Sequence, residues 1–246
     1  MFMRILTAAA GVLLSVAGMA FADDMSHATK FTIRIENVTK PDAFTASNGT
    51  KWSLAFSPGL AIVHREKVPV FSVGKKDRGQ GLEAQSEDGD PGMLAKSLEG
   101  DKGIKSVTVF NTPVGAKGPG PITPGSAYEV TISAMPGDRL TLTTMMGQSN
   151  DWFYAPGETG IALFKDSKAI SGDITSQMIL WDAGTEVNQE PGIGPDQGPR
   201  QKAPNTGESE NGVVKNAKDV KYGNAFTNTA KVMKVTIVPV MMPGAM

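Results

Sequence analysis

Phe31-Thr32-Ile33-Arg34-Ile35-Glu36-Asn37-Val38 alternates apolar and polar residues with a period of two. A strand through it buries one face and wets the other. Working outward, Trp52 to Phe56 repeats the pattern and is expected to stop at Pro58-Gly59. Further strands are expected over 104–110, 127–134, 139–145, 160–164 and 175–181. Lys231 to Val238 follows, rich in β-branched residues and without a helical period. Many short strands separated by Gly and Pro predict an all-β antiparallel sandwich. Gly and Pro make up about 18% of the chain against a norm near 12%, which fits a loop-rich fold. One short helix is expected over 90–98: Asp90 can cap it, Pro91 suits its first turn, and Met93, Leu94 and Leu98 are expected to share a face.

Arg4, the apolar run Ile5 to Ala20 and the small-x-small site Ala20-Phe21-Ala22 read as a signal peptide over 1–22. The run is too short and too early for a permanent membrane span, so secretion or a periplasmic location is expected, with no stable membrane insertion. A tail over 23–30, one domain over 31–240 and a C-terminal tail over 241–246 complete the expected organisation. There is no Cys, so an exported chain must be held by its core, by metal, or by both. A formal net charge of −1 provides no field for nucleic acid. Two stretches lack periodicity: 115–125, a Pro/Gly surface loop, and 190–213, an insertion ahead of the last strand whose length suits a functional or mobile loop.

Two segments carry the chemistry. Gln148-Ser149-Asn150-Asp151-Trp152-Phe153 and Trp181-Asp182-Ala183-Gly184-Thr185-Glu186-Val187-Asn188-Gln189-Glu190 each set oxygen donors among turn residues beside an aromatic anchor. Ca²⁺ takes six to eight oxygens in a flexible shell, which such turns can supply. Loops cluster at the ends of a sandwich, so Asp151 and Asp182 can meet at one rim although distant in sequence. Spacing alone reads equally well as ordinary Asx-type turns, since no EF-hand series is present.

Asn150-Asp151-Trp152-Phe153 with Asp182-Ala183-Gly184-Thr185-Glu186 resembles the paired signatures of the spondin N-terminal domain. Phe44-Thr45, Phe56-Ser57-Pro58 to His64, Glu87-Asp88-Gly89-Asp90 with Leu94, and Arg139-Leu140 to Met145-Met146 are similar to other parts of that family in the same order. The resemblance implies a sandwich similar to a C2 domain holding Ca²⁺ in rim loops. Asp151, Asp182 and Glu186 would be metal ligands, with Asn150, Asn188 and Glu190 as outer contributors. Glu186 stands where animal members commonly have Asp, and the disulfides of those members cannot exist here.

Other features have plainer readings. His27 sits in the expected tail, and His64 reads as a hydrogen-bonded structural or rim residue. Met145 and Met146 point to opposite faces of a strand, so the thirteen Met read as core filling rather than a copper site. Trp152 and Trp181 either pack the loops or form a sugar-binding surface. No nucleophile elbow, zinc-protease motif or phosphate loop is present. The resulting expectation is a non-catalytic, calcium-binding protein of extracellular or cell-surface recognition or adhesion, whose partner is an extracellular protein or glycan. A calcium-dependent hydrolase of extracellular polysaccharide and a periplasmic metal-handling protein using His27 and the methionines are the alternatives.

Overall fold

The computed structural model describes residues 28–66 and 70–240. The signal peptide, most of the short tail after it including His27, and the pair Met241-Met242 lie outside the described residues. The first strands are β1 (Thr29–Asn37), β2 (Phe44–Thr45), β3 (Lys51–Trp52), β4 (Phe56–His64), β5 (Ile104–Phe110), β6 (Ala127–Ala134) and β7 (Arg139–Met146). They are followed by β8 (Trp152–Ala155), β9 (Ile161–Ala162), β10 (Phe164–Lys165), β11 (Lys168–Ala169), β12 (Gly172–Asp173), β13 (Ile179–Asp182), β14 (Lys215–Asn216) and β15 (Met233–Val240). One α-helix, α1 (Gly92–Leu98), lies between β4 and β5.

Two antiparallel sheets carry the fold. The smaller runs β12-β15-β1-β6, and the larger runs β14-β13-β8-β7-β4-β5 with β9 on β7. The alternation in β1 works as expected: Phe31, Ile33 and Ile35 are buried between the sheets, while Arg34 and Glu36 pair at the surface. The larger sheet is buried on both faces, so β4, β7 and β8 show no alternation in burial. In β8, Trp152 and Tyr154 face the inter-sheet core, whereas Phe153 and Ala155 face an outer layer formed with Phe71, Leu82, Leu94 and Leu98. Each such large side chain contributes about 1.5–3 kcal/mol on full burial.

Several expectations need correction. Pro58-Gly59 does not end a strand: β4 starts at Phe56 and runs through the pair to His64. The register slips between Phe56 and Gly59, and the Ser57 hydroxyl stands in for a missing ladder partner by accepting the Met145 N–H. A Cβ on Gly59 would lie 1.8 Å from the Thr143 carbonyl oxygen, so only glycine allows β7 this close. Asp90 does accept the Gly92 N–H at 2.8 Å, but Met93 is exposed while Leu94 and Leu98 are buried. A π-type turn, Ala84–Asp88, precedes the helix and buries Gln85, Ser86 and Glu87. The expected strand over 160–164 is broken at Leu163 into β9 and β10. A 3₁₀ turn replaces the start of the one over 175–181. Met145 and Met146 do take opposite faces, and both are buried. Among the described residues no helix is long and apolar enough to cross a membrane.

Candidate metal centre

β8 and β13 are antiparallel neighbours, with Asp182 opposite Trp152. Asp151, one residue before β8, and Asp182, the last residue of β13, therefore fall at the same end of the sheet. The Ala183 N–H donates to the Asp151 carbonyl and extends the ladder past both. β14 then lies against β13, with Lys215 opposite Asp182.

The 190–213 segment supplies the remaining wall. Its first part is packed, with Pro191, Gly192, Gly194 and Gln197 buried, while 202–205 and 207–209 are exposed. Its return pairs with the Asp182–Glu186 turn through Val187 N–H to Glu208 O, Glu210 N–H to Thr185 O and Gly212 N–H to Gly184 O. Gly184 has φ +70°, and a Cβ there would meet Val213 N at 2.6 Å, so the turn requires glycine. This return delivers Glu210. One carboxylate oxygen each from Asp151, Asp182 and Glu210 lie within 4.8 Å of one another.

The hydrogen bonding around this group is lopsided. Asp151 Oδ2 accepts from Thr185 N–H (2.8 Å), the Thr185 hydroxyl and Glu186 N–H. Asp182 Oδ2 accepts from Trp152 Nε1 (3.1 Å) and Asn188 Nδ2 (2.6 Å). The other oxygen of each carboxylate, and Asn188 Oδ1, is buried without a hydrogen-bond partner. Buried polar atoms are rarely left so, and three together demand an explanation. Lys215 Nζ bonds Glu210 at 2.6 Å and lies 3.8 Å from Asp182 Oδ1. Burial pushes the Asp151 carboxyl well above its ordinary range, with the Asp182 charge adding to it and the Thr185 and Glu186 amides opposing. Burial likewise raises Asp182, against the Asn188 amide and the Lys215 charge.

Not every expected ligand arrives. Glu186 is turned away: its Oε1 accepts Asn150 Nδ2 at 2.9 Å, and its neighbours are Glu87 and Gly207 rather than the Asp151 group. Its backbone N–H stays on Asp151 while its side chain leaves on the other side of the turn, toward Asn150. Asn150 pins the insertion, its Oδ1 accepting from Gln189 N–H and Gln197 Nε2. Glu190 is remote, accepting the amide and hydroxyl of Ser47. Trp152 and Trp181 are both buried, on opposite faces of the larger sheet, so neither presents a sugar platform. Asn188 does join the group. Glu210, Lys215 and Glu87 were missed; Glu210 and Lys215 sit in or beside a stretch without periodicity, where sequence carries no signal of their return to the rim. His64 is buried, its ring hydrogen-bonded to Thr141 (3.0 Å) and the Glu66 carbonyl, and burial lowers its basicity.

No family model matches the chain, and no curated protein matches it. The likeness to the spondin N-terminal domain rests on the motifs quoted above.

Proposed function

We propose that this chain is an exported, calcium-binding β-sandwich of the spondin N-terminal type that acts in extracellular or cell-surface recognition or adhesion without catalysing a reaction. The observation that carries the reading is the set of buried, unpartnered oxygens on Asp151, Asp182 and Asn188 beside Glu210. Two oxygens on opposite sides of a Ca²⁺ ion stand about 4.8 Å apart, given Ca–O distances of 2.3–2.6 Å, which is the scale of this group. Three carboxylates and the Lys215 ammonium sum to a charge matched by a divalent cation, and all the donors are hard oxygens. The ion would tie the β8 and β13 ends to the returning insertion. It would thereby order the wall of a cleft of about 290 Å³ lined by Lys76, Asp77, Glu83, Thr185, Ser209 and Asn211. That cleft is the face offered to a protein or glycan partner.

Calorimetric titration with Ca²⁺, paired with melting in EGTA and in millimolar Ca²⁺, tests the reading. Heat of binding and a raised melting temperature are expected; coincident melting curves with no heat would reject the centre.

A further inference from the structure

A second acidic pocket lies across Thr185 from the first group. Glu186 and Glu87 are both buried, and both line a cavity of about 30 Å³ with Thr185, Ser209 and Asn205. That volume suffices for one small ion or water. Glu186 Oε2 is buried and has no hydrogen-bond partner, while Oε1 is held by Asn150. The backbone closes tightly over this carboxylate: Gly207 has φ +137°, and a Cβ there would come within 1.9 Å of Glu186 Oε1. Among the described residues no Lys or Arg pairs with Glu87 or Glu186, in contrast to Lys215 at the first group. The surrounding charges make the need for a cation larger, since Glu83, Asp88 and Asp77 face Glu87, and Asp88 and Asp196 face Glu186. A buried carboxylate left without a partner is costly, and a hard cation is the species that satisfies two at once.

We infer that Glu87 and Glu186 form a second site for a hard divalent cation, distinct from the Asp151–Asp182–Glu210 group, with the Ser209 hydroxyl and water completing its oxygen shell. The two positions share Thr185, whose hydroxyl contacts both Asp151 and Glu87. An ion in this pocket would clamp the π-type turn to the insertion, joining two segments far apart in the chain.

The test is Ca²⁺ stoichiometry by equilibrium dialysis on the wild-type chain and on Glu87→Gln and Asp182→Asn, each checked for folding by circular dichroism in EGTA. Wild type is expected to bind two ions and each variant one. Should Glu87→Gln fold poorly, Glu186→Gln replaces it, because its amide oxygen still accepts from Asn150. A folded Glu87→Gln that binds as many ions as wild type overturns the inference. So does a wild-type count of one that falls to none in both variants, which would merge the positions, or absence of any binding to wild type. If Asp182→Asn keeps the wild-type count while Glu87→Gln loses an ion, the second site stands and the Asp182 centre falls.

Discussion

Asp182→Asn should invert the order of stability with and without calcium. Asp182 Oδ2 accepts from Trp152 Nε1 and Asn188 Nδ2. An asparagine carbonyl in the same place still serves both donors, though neutral acceptors are weaker than charged ones by about 1 kcal/mol per bond. The part-exposed contact with Lys215 at 3.8 Å is worth under about 1 kcal/mol. Against this, the new amide removes the charge facing Asp151. Were both ionised, oxygens within 4.8 Å of each other would repel by roughly 3.5 kcal/mol or more at an effective dielectric near 20, a cost that proton uptake by the burial-raised Asp151 carboxyl reduces. The terms nearly cancel, so in EGTA the variant should melt within a few degrees of wild type, and at or above it. In Ca²⁺ at 100 times its Kd, wild type gains about 2.7 kcal/mol, or about 5–11 °C for a domain of this size. The variant should gain little from the first site. Differential scanning calorimetry in EGTA and across a Ca²⁺ series measures both arms. A variant that is several degrees less stable in EGTA yet shows the full wild-type shift would refute the assignment of Asp182 as a ligand.

Ion-free stability should fall with pH in the weakly acidic range, because burial, the largest cause for each, pushes the Glu87 and Glu186 carboxyls up to about 7. Their folded pKa lies above the unfolded value, so their contribution is complete below about pH 4.5 and lost as pH rises through about 7, at most about 3 kcal/mol each. Melting wild type and Glu186→Gln in EGTA from pH 4.5 to 8 isolates this, and Ca²⁺ should flatten the wild-type slope. Gly184→Ala forces a Cβ against Val213 in a left-handed backbone and should cost about 2–3 kcal/mol, lowering both melting temperature and Ca²⁺ affinity. Asn150→Ala strips the acceptor from Gln189 N–H and the Gln197 amide. Hydrogen exchange should quicken across 186–201 while the β1–β15 ladder keeps its protection.

The inter-sheet half of the fold was legible because it obeys one rule. β1, β6 and β15 are wet on one face, and alternation survives in their residues. β4 was misread because Leu60, Ala61, Ile62 and Val63 are apolar throughout, as a strand buried on both faces must be. The rule that Pro-Gly ends a strand also gave way there to a bulge repaired by the Ser57 hydroxyl. At the rim, Asp151 and Asp182 were legible since each adjoins a tryptophan anchor in a turn-rich motif. Glu186 was misdirected because spacing along a turn does not say on which side a side chain leaves.

The sequence by itself determined the all-β class and the pair of turns on which Asp151 and Asp182 sit, since both follow from local periodicity and turn chemistry. Only the tertiary structure decided which carboxylates share a space. β8–β13 pairing sets Asp151 beside Asp182, the returning insertion brings Glu210 and Lys215 to them, and the π-type turn carries Glu87 to Glu186. Those are contacts between segments far apart in the chain, fixed by sheet register and backbone closure at Gly184 and Gly207. No local pattern encodes them.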